Sequence, residues 1–139
     1  MHTLLLDNDV ILDVACVRQA HFLSSQRILI AVEQKQIVGF LSAVSFPILY
    51  YLIRKASGHN DGVKFIHSLM RLMQIVEVDK ATIERALQIN LRDFEDSLQA
   101  ACAENCSADF IVTRNIKDFK KSPVTPISPE EYLASFPLK

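Results

Sequence analysis

The stretch Leu4-Leu5-Leu6-Asp7-Asn8-Asp9-Val10 sets an unbroken apolar run directly against two aspartates, and Asp13 follows four residues later. Such a run reads as a short strand buried on both faces, delivering acids to its carboxyl end. That end is the edge where open α/β sheets place their ligands, and carboxylates there suit a hard cation. Further short apolar runs occur at Ile37 to Leu41, Ile75 to Val78 and Phe110 to Val112, each separated from the next by a longer helix-compatible segment. The alternation predicts a three-layer α/β/α sandwich around a mostly parallel sheet of four to five strands, with residues 1–139 as a single domain.

The intervening segments carry helical signals. Phe22 to Lys35 places Leu23, Ile28, Ala31 and Val32 on one side, and Phe46 to Lys55 tolerates Pro47 in its first turn with Ser45 as cap. Ser57-Gly58-His59-Asn60 breaks that helix, and Asn60 is read as the cap of the next, whose apolar positions are Val63, Ile66, Leu69, Met70 and Met73. Asp79 and Asp93 each stand where a cap is needed for a later helix, and Pro129-Glu130-Glu131 can begin a last one. The tail from Pro123 to Pro129 reads as turns.

Composition narrows the class. The chain has 139 residues, half of them apolar, and a formal net charge of -1. That length can bury a core without disulfides, and the near-zero charge argues against attraction to duplex DNA as the main task. No run approaches the roughly 20 apolar residues of a membrane span, so the chain is expected to act in the cytoplasm without a membrane partner. Cys16, Cys102 and Cys106 lack zinc-site spacing and read as free thiols.

Two more acidic loci accompany Asp7. Asp93 and Asp96 stand at a helix start, where Asp93 suits a cap and Asp96, one turn in, opens on the same sheet edge. Glu95 lies about 100° around the helix from Asp96 and reads as solvated. Asn115 and Asp118 follow the apolar strand Phe110 to Val112. Ser42 and Thr113, just beyond two strands, are placed to contact phosphate or a bound water. Arg114, Lys117, Lys120 and Lys121 are placed to neutralise a strand of nucleic acid. Tyr50 and Tyr51 can stack on an unpaired base, although adjacent tyrosines face different sides of a helix. His2, His21, His59 and His67 show no metal-ligand pattern.

Taken together, Leu4-Leu5-Leu6-Asp7-Asn8-Asp9-Val10, Leu41-Ser42-Ala43-Val44-Ser45, Asp93-Phe94-Glu95-Asp96-Ser97-Leu98-Gln99 and Ile111-Val112-Thr113-Arg114-Asn115-Ile116-Lys117-Asp118-Phe119 resemble a PIN domain, over Leu4 to about Leu133. The closer likeness is to the branch with an Asp-Phe-Glu-Asp segment and a Thr-Arg-Asn plus Asp-Phe ending. The resemblance implies a ribonuclease that uses Mg²⁺ or Mn²⁺ and acts on single-stranded or looped RNA. It also implies the toxin of a toxin–antitoxin pair, with an antitoxin protein as partner and a homodimer formed through the apolar helices near Phe46 to Met73. Asp7 would be the central metal ligand with Asp96 opposite, and Asn115 and Asp118 would close the site. Asp93 is a further candidate metal ligand, and Asn8 would position water or the turn backbone.

The chain departs from the family after Val44-Ser45, where the usual early-helix glutamate falls on Ile48. Either the remaining acids suffice, with Asp93 or Asp9 contributing, or the domain is an inactive binding scaffold. Asp9 has a second reading as a cap for the short segment through Asp13. The opening motif also resembles haloacid-dehalogenase-type phosphatases, which would make Asp7 a nucleophile and Asp9 its acid/base. That family follows a late strand with a lysine and then a close acidic pair, whereas here the late strand leads to Thr113-Arg114-Asn115 and only one nearby acid, Asp118.

Overall fold

Leu4, Leu5 and Leu6 are completely buried, and because successive strand residues point to opposite faces they feed two different cores. Leu4 and Leu6 pack with Val10, Ile28, Leu41, Leu49 and Tyr132, whereas Leu5 packs with Ala100, Ile111 and Phe119. The computed structural model, which describes residues 1–139, thus covers the strand on both faces, as a parallel sheet requires.

The strands are β1 (Thr3–Leu6), β2 (Val38–Ser42), β3 (Gln74–Val76), β4 (Phe110–Val112) and β5 (Pro126–Ile127). They form one five-stranded sheet in the order β3-β2-β1-β4-β5, with every pairing parallel. The helices are α1 (Asn8–Ala15), α2 (Phe22–Glu33), α3 (Ser45–Ser57), α4 (His59–Leu72), α5 (Lys80–Ile89), α6 (Phe94–Asn105) and α7 (Pro129–Ser135). Helices α1, α2, α3, α4 and α7 cover the Leu4 face, and α6 covers the Leu5 face with α5 packed on it. None is long and apolar enough to cross a membrane. The chain winds outward from β1 to β3, then returns past β1 to begin β4, so the sheet's switch point lies between β1 and β4. Asp7 and Thr113 leave those two strands side by side.

Several local expectations are corrected. The Pro123 to Pro129 tail contains β5, because a two-residue edge strand needs no amide from Pro126: its neighbours Thr125 and Ile127 accept from Ile111 and Thr113 of the β4 segment at 2.9 Å. Ser45 is the first residue of α3, not its cap, and its hydroxyl accepts from Gln99 Nε2 at 3.3 Å. Asn60 lies inside α4, since Gly58 at φ +93° both closes α3 and opens α4 in one residue. Leu23 is exposed, the buried side of α2 being Ser25, Ile28, Ala31 and Val32. Asp79 and Asp93 do cap α5 and α6. The three cysteines are free; burial raises the thiols of Cys102 and Cys106, the latter to about 11, which leaves both inert.

Candidate active site at the carboxyl edge of the sheet

Asp7 links the two strands at the switch point. Its amide donates to the Val112 carbonyl at 2.9 Å. Its Oδ1 accepts from the Asn8 amide and its Oδ2 from the Thr113 hydroxyl, both at 2.8 Å. Burial pushes the Asp7 carboxyl up; the two hydrogen bonds oppose this, and the nearby charges of Glu95 and Asp118 add to it. Thr113 is fully buried, so its hydroxyl fixes Asp7 and does not reach substrate. Ser42 is likewise buried, accepting from the Val44 amide at 3.2 Å, which removes it as a direct phosphate contact.

Helix α6 brings acids from the second side. Asp93 Oδ1 accepts from the amides of Glu95 at 2.8 Å and Asp96 at 3.4 Å, the ordinary work of a cap. Asp96 is half-buried, and desolvation together with the charges of Asp7, Asp93, Asp118 and Glu95 pushes it up to about 7. Glu95 is exposed but does not point away from the site: its Oε1 accepts from Asn8 Nδ2 at 3.1 Å. The helical angle sets only its Cα–Cβ direction, and a long side chain in the first turn folds back to the strand tip.

The third side is the turn after β4. The amide of Arg114 and Nδ2 of Asn115 both donate to Asp9 Oδ2 at 3.3 Å, while the Asn115 amide donates to Thr113 Oγ1 at 3.0 Å. Asp9 therefore ties the β1 and β4 loops together, and the cap of α1 is Asp7. Burial first, then the charge of Asp7, push Asp9 up to about 6, against the opposing Arg114. Asp118 sits in the 3₁₀ turn Ile116–Phe119, held down by fully buried Phe119, and its charge acts on both Asp7 and Asp96.

Arg114 is not available as a phosphate contact. Its Nη2 stands 2.9 Å from Oδ1 of Asp13, a close ion pair without an aligned hydrogen bond. Asp13 is fully buried and accepts from Ser25 Oγ at 2.8 Å. Lys117, Lys120 and Lys121 remain exposed and outside the chain's ion pairs. Tyr50 is structural, its hydroxyl 2.6 Å from His59 Nδ1 and its ring over Gly62, whereas Tyr51 is exposed. Ile48 shares a crevice with Ser42, Val44, Ser45, Glu95, Leu98 and Gln99.

The charges of Asp7, Asp93, Asp118 and Glu95, which push Asp96 up, are all negative. A divalent cation with oxygen ligands would complement such a set. No three His, Cys, Asp or Glu side chains already form a closed cage. Asp7 retains ligating capacity, since each of its oxygens accepts a single hydrogen bond.

The raised acids imply a pH dependence. A carboxyl whose folded pKa exceeds its unfolded value stabilises the fold fully below the unfolded value, and that contribution is lost as pH rises through the folded one. For Asp9 and Asp96 the loss falls between the ordinary carboxyl value of 3.8 and about 6 to 7. Metal-free protein should therefore melt higher at about pH 5.5 than at about pH 7.5, by about 1–2 kcal/mol once solvent screening and shared charge are allowed for. Added Mn²⁺ should raise the melting temperature at the higher pH and flatten the profile. Melting curves with EDTA and with Mn²⁺ check this, and a metal-free curve that falls toward pH 5.5 would contradict it.

Comparison with known proteins bears on the fold and the family. No curated protein matches the sequence. Among solved structures, FitAcB from Neisseria gonorrhoeae superposes with a TM-score of 0.71 at 20% identity, covering 91% of this chain and 98% of that one. A chain of VapBC2 from Rickettsia felis, bound to a promoter DNA fragment, gives 0.70 at 17% identity, covering 91% and 98%. Mycobacterium tuberculosis VapC20, described as a sarcin-ricin loop cleaving toxin, gives 0.69 at 15% identity, covering 91% and 99%. These likenesses establish the shared fold. Residues 3–117, which run from β1 through Asp7, Asp96 and the turn after β4, match the PIN domain, and the chain belongs to that family.

Proposed function

We propose that the chain is a divalent-metal-dependent endoribonuclease that hydrolyses phosphodiester bonds in single-stranded or looped RNA, and that it is the toxin of a toxin–antitoxin pair. The observation that carries this reading is the gathering of Asp7, Asp96 and Asp118 at the switch-point edge, where each raises another's pKa or is raised by it. Bound Mg²⁺ or Mn²⁺ would make the attacking water more acidic and offset charge on the leaving oxygen. Asp7 and Asp96 would hold the ion from β1 and α6, and Asp118 would close the site from the 3₁₀ turn. Asp93 adds negative charge beside Asp96 while capping α6. Thr113 and Asn8 fix Asp7, and Asn115 fixes Asp9.

The decisive assay is cleavage of several structured RNAs by purified protein in Mg²⁺ or Mn²⁺, against EDTA and against Asp7→Asn. No metal-dependent cleavage, or equal cleavage by the variant, would favour a PIN-type binding scaffold, the second reading, motivated by Ile48 and Asn115. The phosphatase alternative loses its acid/base, since Asp9 Oδ2 is held by two N–H donors and Oδ1 is buried.

Lys117 and Lys120 supply phosphate contacts beside the pocket. Lys117→Ala and Lys120→Ala should each weaken RNA binding and reduce the slope of log K against log salt by about 0.7 per lost contact. Fluorescence anisotropy across a salt series, with Asp7→Asn as the uncut background, measures it; an unchanged slope removes the lysines from the interface.

One of the similar solved structures is a toxin–antitoxin complex from Klebsiella pneumoniae. An antitoxin covering the acidic edge is the corresponding partner here. Phe46, Pro47, Tyr50, Val63, Ile66 and Met70 line an apolar groove between α3 and α4 that a second copy would bury. Light scattering at several concentrations tests self-association, and a monomer at high concentration counts against it.

A further inference from the structure

Helix α3 carries Ile48 where the PIN resemblance calls for glutamate, and an isoleucine offers no oxygen. The crevice lined by Ile48 is also lined by Glu95, one residue before Asp96 at the start of α6. Glu95 is not left to solvent. Asn8, only 7% exposed, donates Nδ2 to Glu95 Oε1 at 3.1 Å, and Oδ1 of the same amide is buried without a partner. That bond ties the Glu95 carboxylate to the residue next to Asp7, at the start of the helix that also carries Asp96.

We propose that Glu95 supplies the carboxylate that Ile48 lacks, entering the metal site from α6 instead of α3, with Asn8 as the residue that positions it. Glu95 Oε1 is occupied by Asn8, while Oε2 has no hydrogen-bond partner in the chain and is the oxygen free for the cation or one of its waters. The site would then draw on β1 through Asp7, on α6 through Glu95 and Asp96, and on the 3₁₀ turn through Asp118. This inference rests on the nuclease reading and narrows it to a particular set of ligands.

The test is calorimetric titration of Mn²⁺ alone into the full chain, compared with Glu95→Gln and with Glu131→Gln. Glu131 is an exposed acid of α7 outside the site and controls for net charge. Glu95→Gln should bind Mn²⁺ about tenfold more weakly, with an unchanged melting temperature in EDTA, while Glu131→Gln binds as wild type. Equal Mn²⁺ affinity in Glu95→Gln and wild type overturns the assignment of Glu95 and leaves the nuclease reading standing. Equal weakening in both variants reduces the effect to bulk charge and also overturns it. A wild-type chain that binds no Mn²⁺ removes the nuclease reading and this inference together.

Discussion

Asp7→Asn should lower metal-dependent RNA cleavage at least about a hundredfold, because several kcal/mol of transition-state charge stabilisation depend on a metal that the amide holds poorly. The same variant should fold as well as wild type or better at neutral pH. Asparagine preserves the shape: its oxygen can accept from the Asn8 amide, and its Nδ2 can donate to Thr113 Oγ1, which has acceptor capacity. It also removes a buried charge whose neighbours include Glu95 and Asp118. Loss of activity with gain of stability is the signature of a site strained by its own charge. Asp96→Asn should follow the same pattern. Asp118→Asn should lose less, because Asp118 is exposed and its oxygen is more easily replaced by water. Single-turnover cleavage and thermal melts on one set of preparations decide it. An Asp7 variant that is inactive only because it is unfolded would refute the argument.

The core was legible because its signal is periodic. Leu4 to Leu6 read as a two-faced strand, and the structure puts alternate residues into separate cores. The strand β5 was illegible because two residues with a proline carry no periodicity; only the free donors of the β4 segment call for it. The acids divide in the same way. Asp7 and Asp96 follow from strand tips and helix starts, features of the local chain. Glu95 was misread because a helical angle says nothing about a side chain that folds back to Asn8, some 87 positions earlier in sequence. Ser42 and Thr113 were placed correctly along the edge, yet their burial depends on how neighbouring loops close over them, which no single segment encodes.

Arg114 offers the sharpest separation between a functional and a structural reading, since beside Thr113 and Asn115 it looked like a phosphate contact. Arg114→Ala should destabilise the fold by about 3 kcal/mol, near the lower bound for breaking a buried ion pair by removing one partner. The cost arises at Asp13, which is fully buried and would keep only Ser25 and, at 3.8 Å, the half-exposed Arg18. It would be larger if those two did not remain. For a chain of this size the loss corresponds to a fall of roughly 10 °C in melting temperature. Replacing Asp13 by Asn in the Arg114→Ala background should recover part of it, because an amide in that cavity leaves no charge unpaired while still accepting from Ser25. A phosphate-binding Arg114 predicts the reverse: normal melting, weaker RNA binding, and no recovery on changing Asp13. Denaturant unfolding of the two single variants and the double, beside RNA anisotropy, distinguishes these outcomes. Normal stability in Arg114→Ala would release that guanidinium to the substrate side of the site.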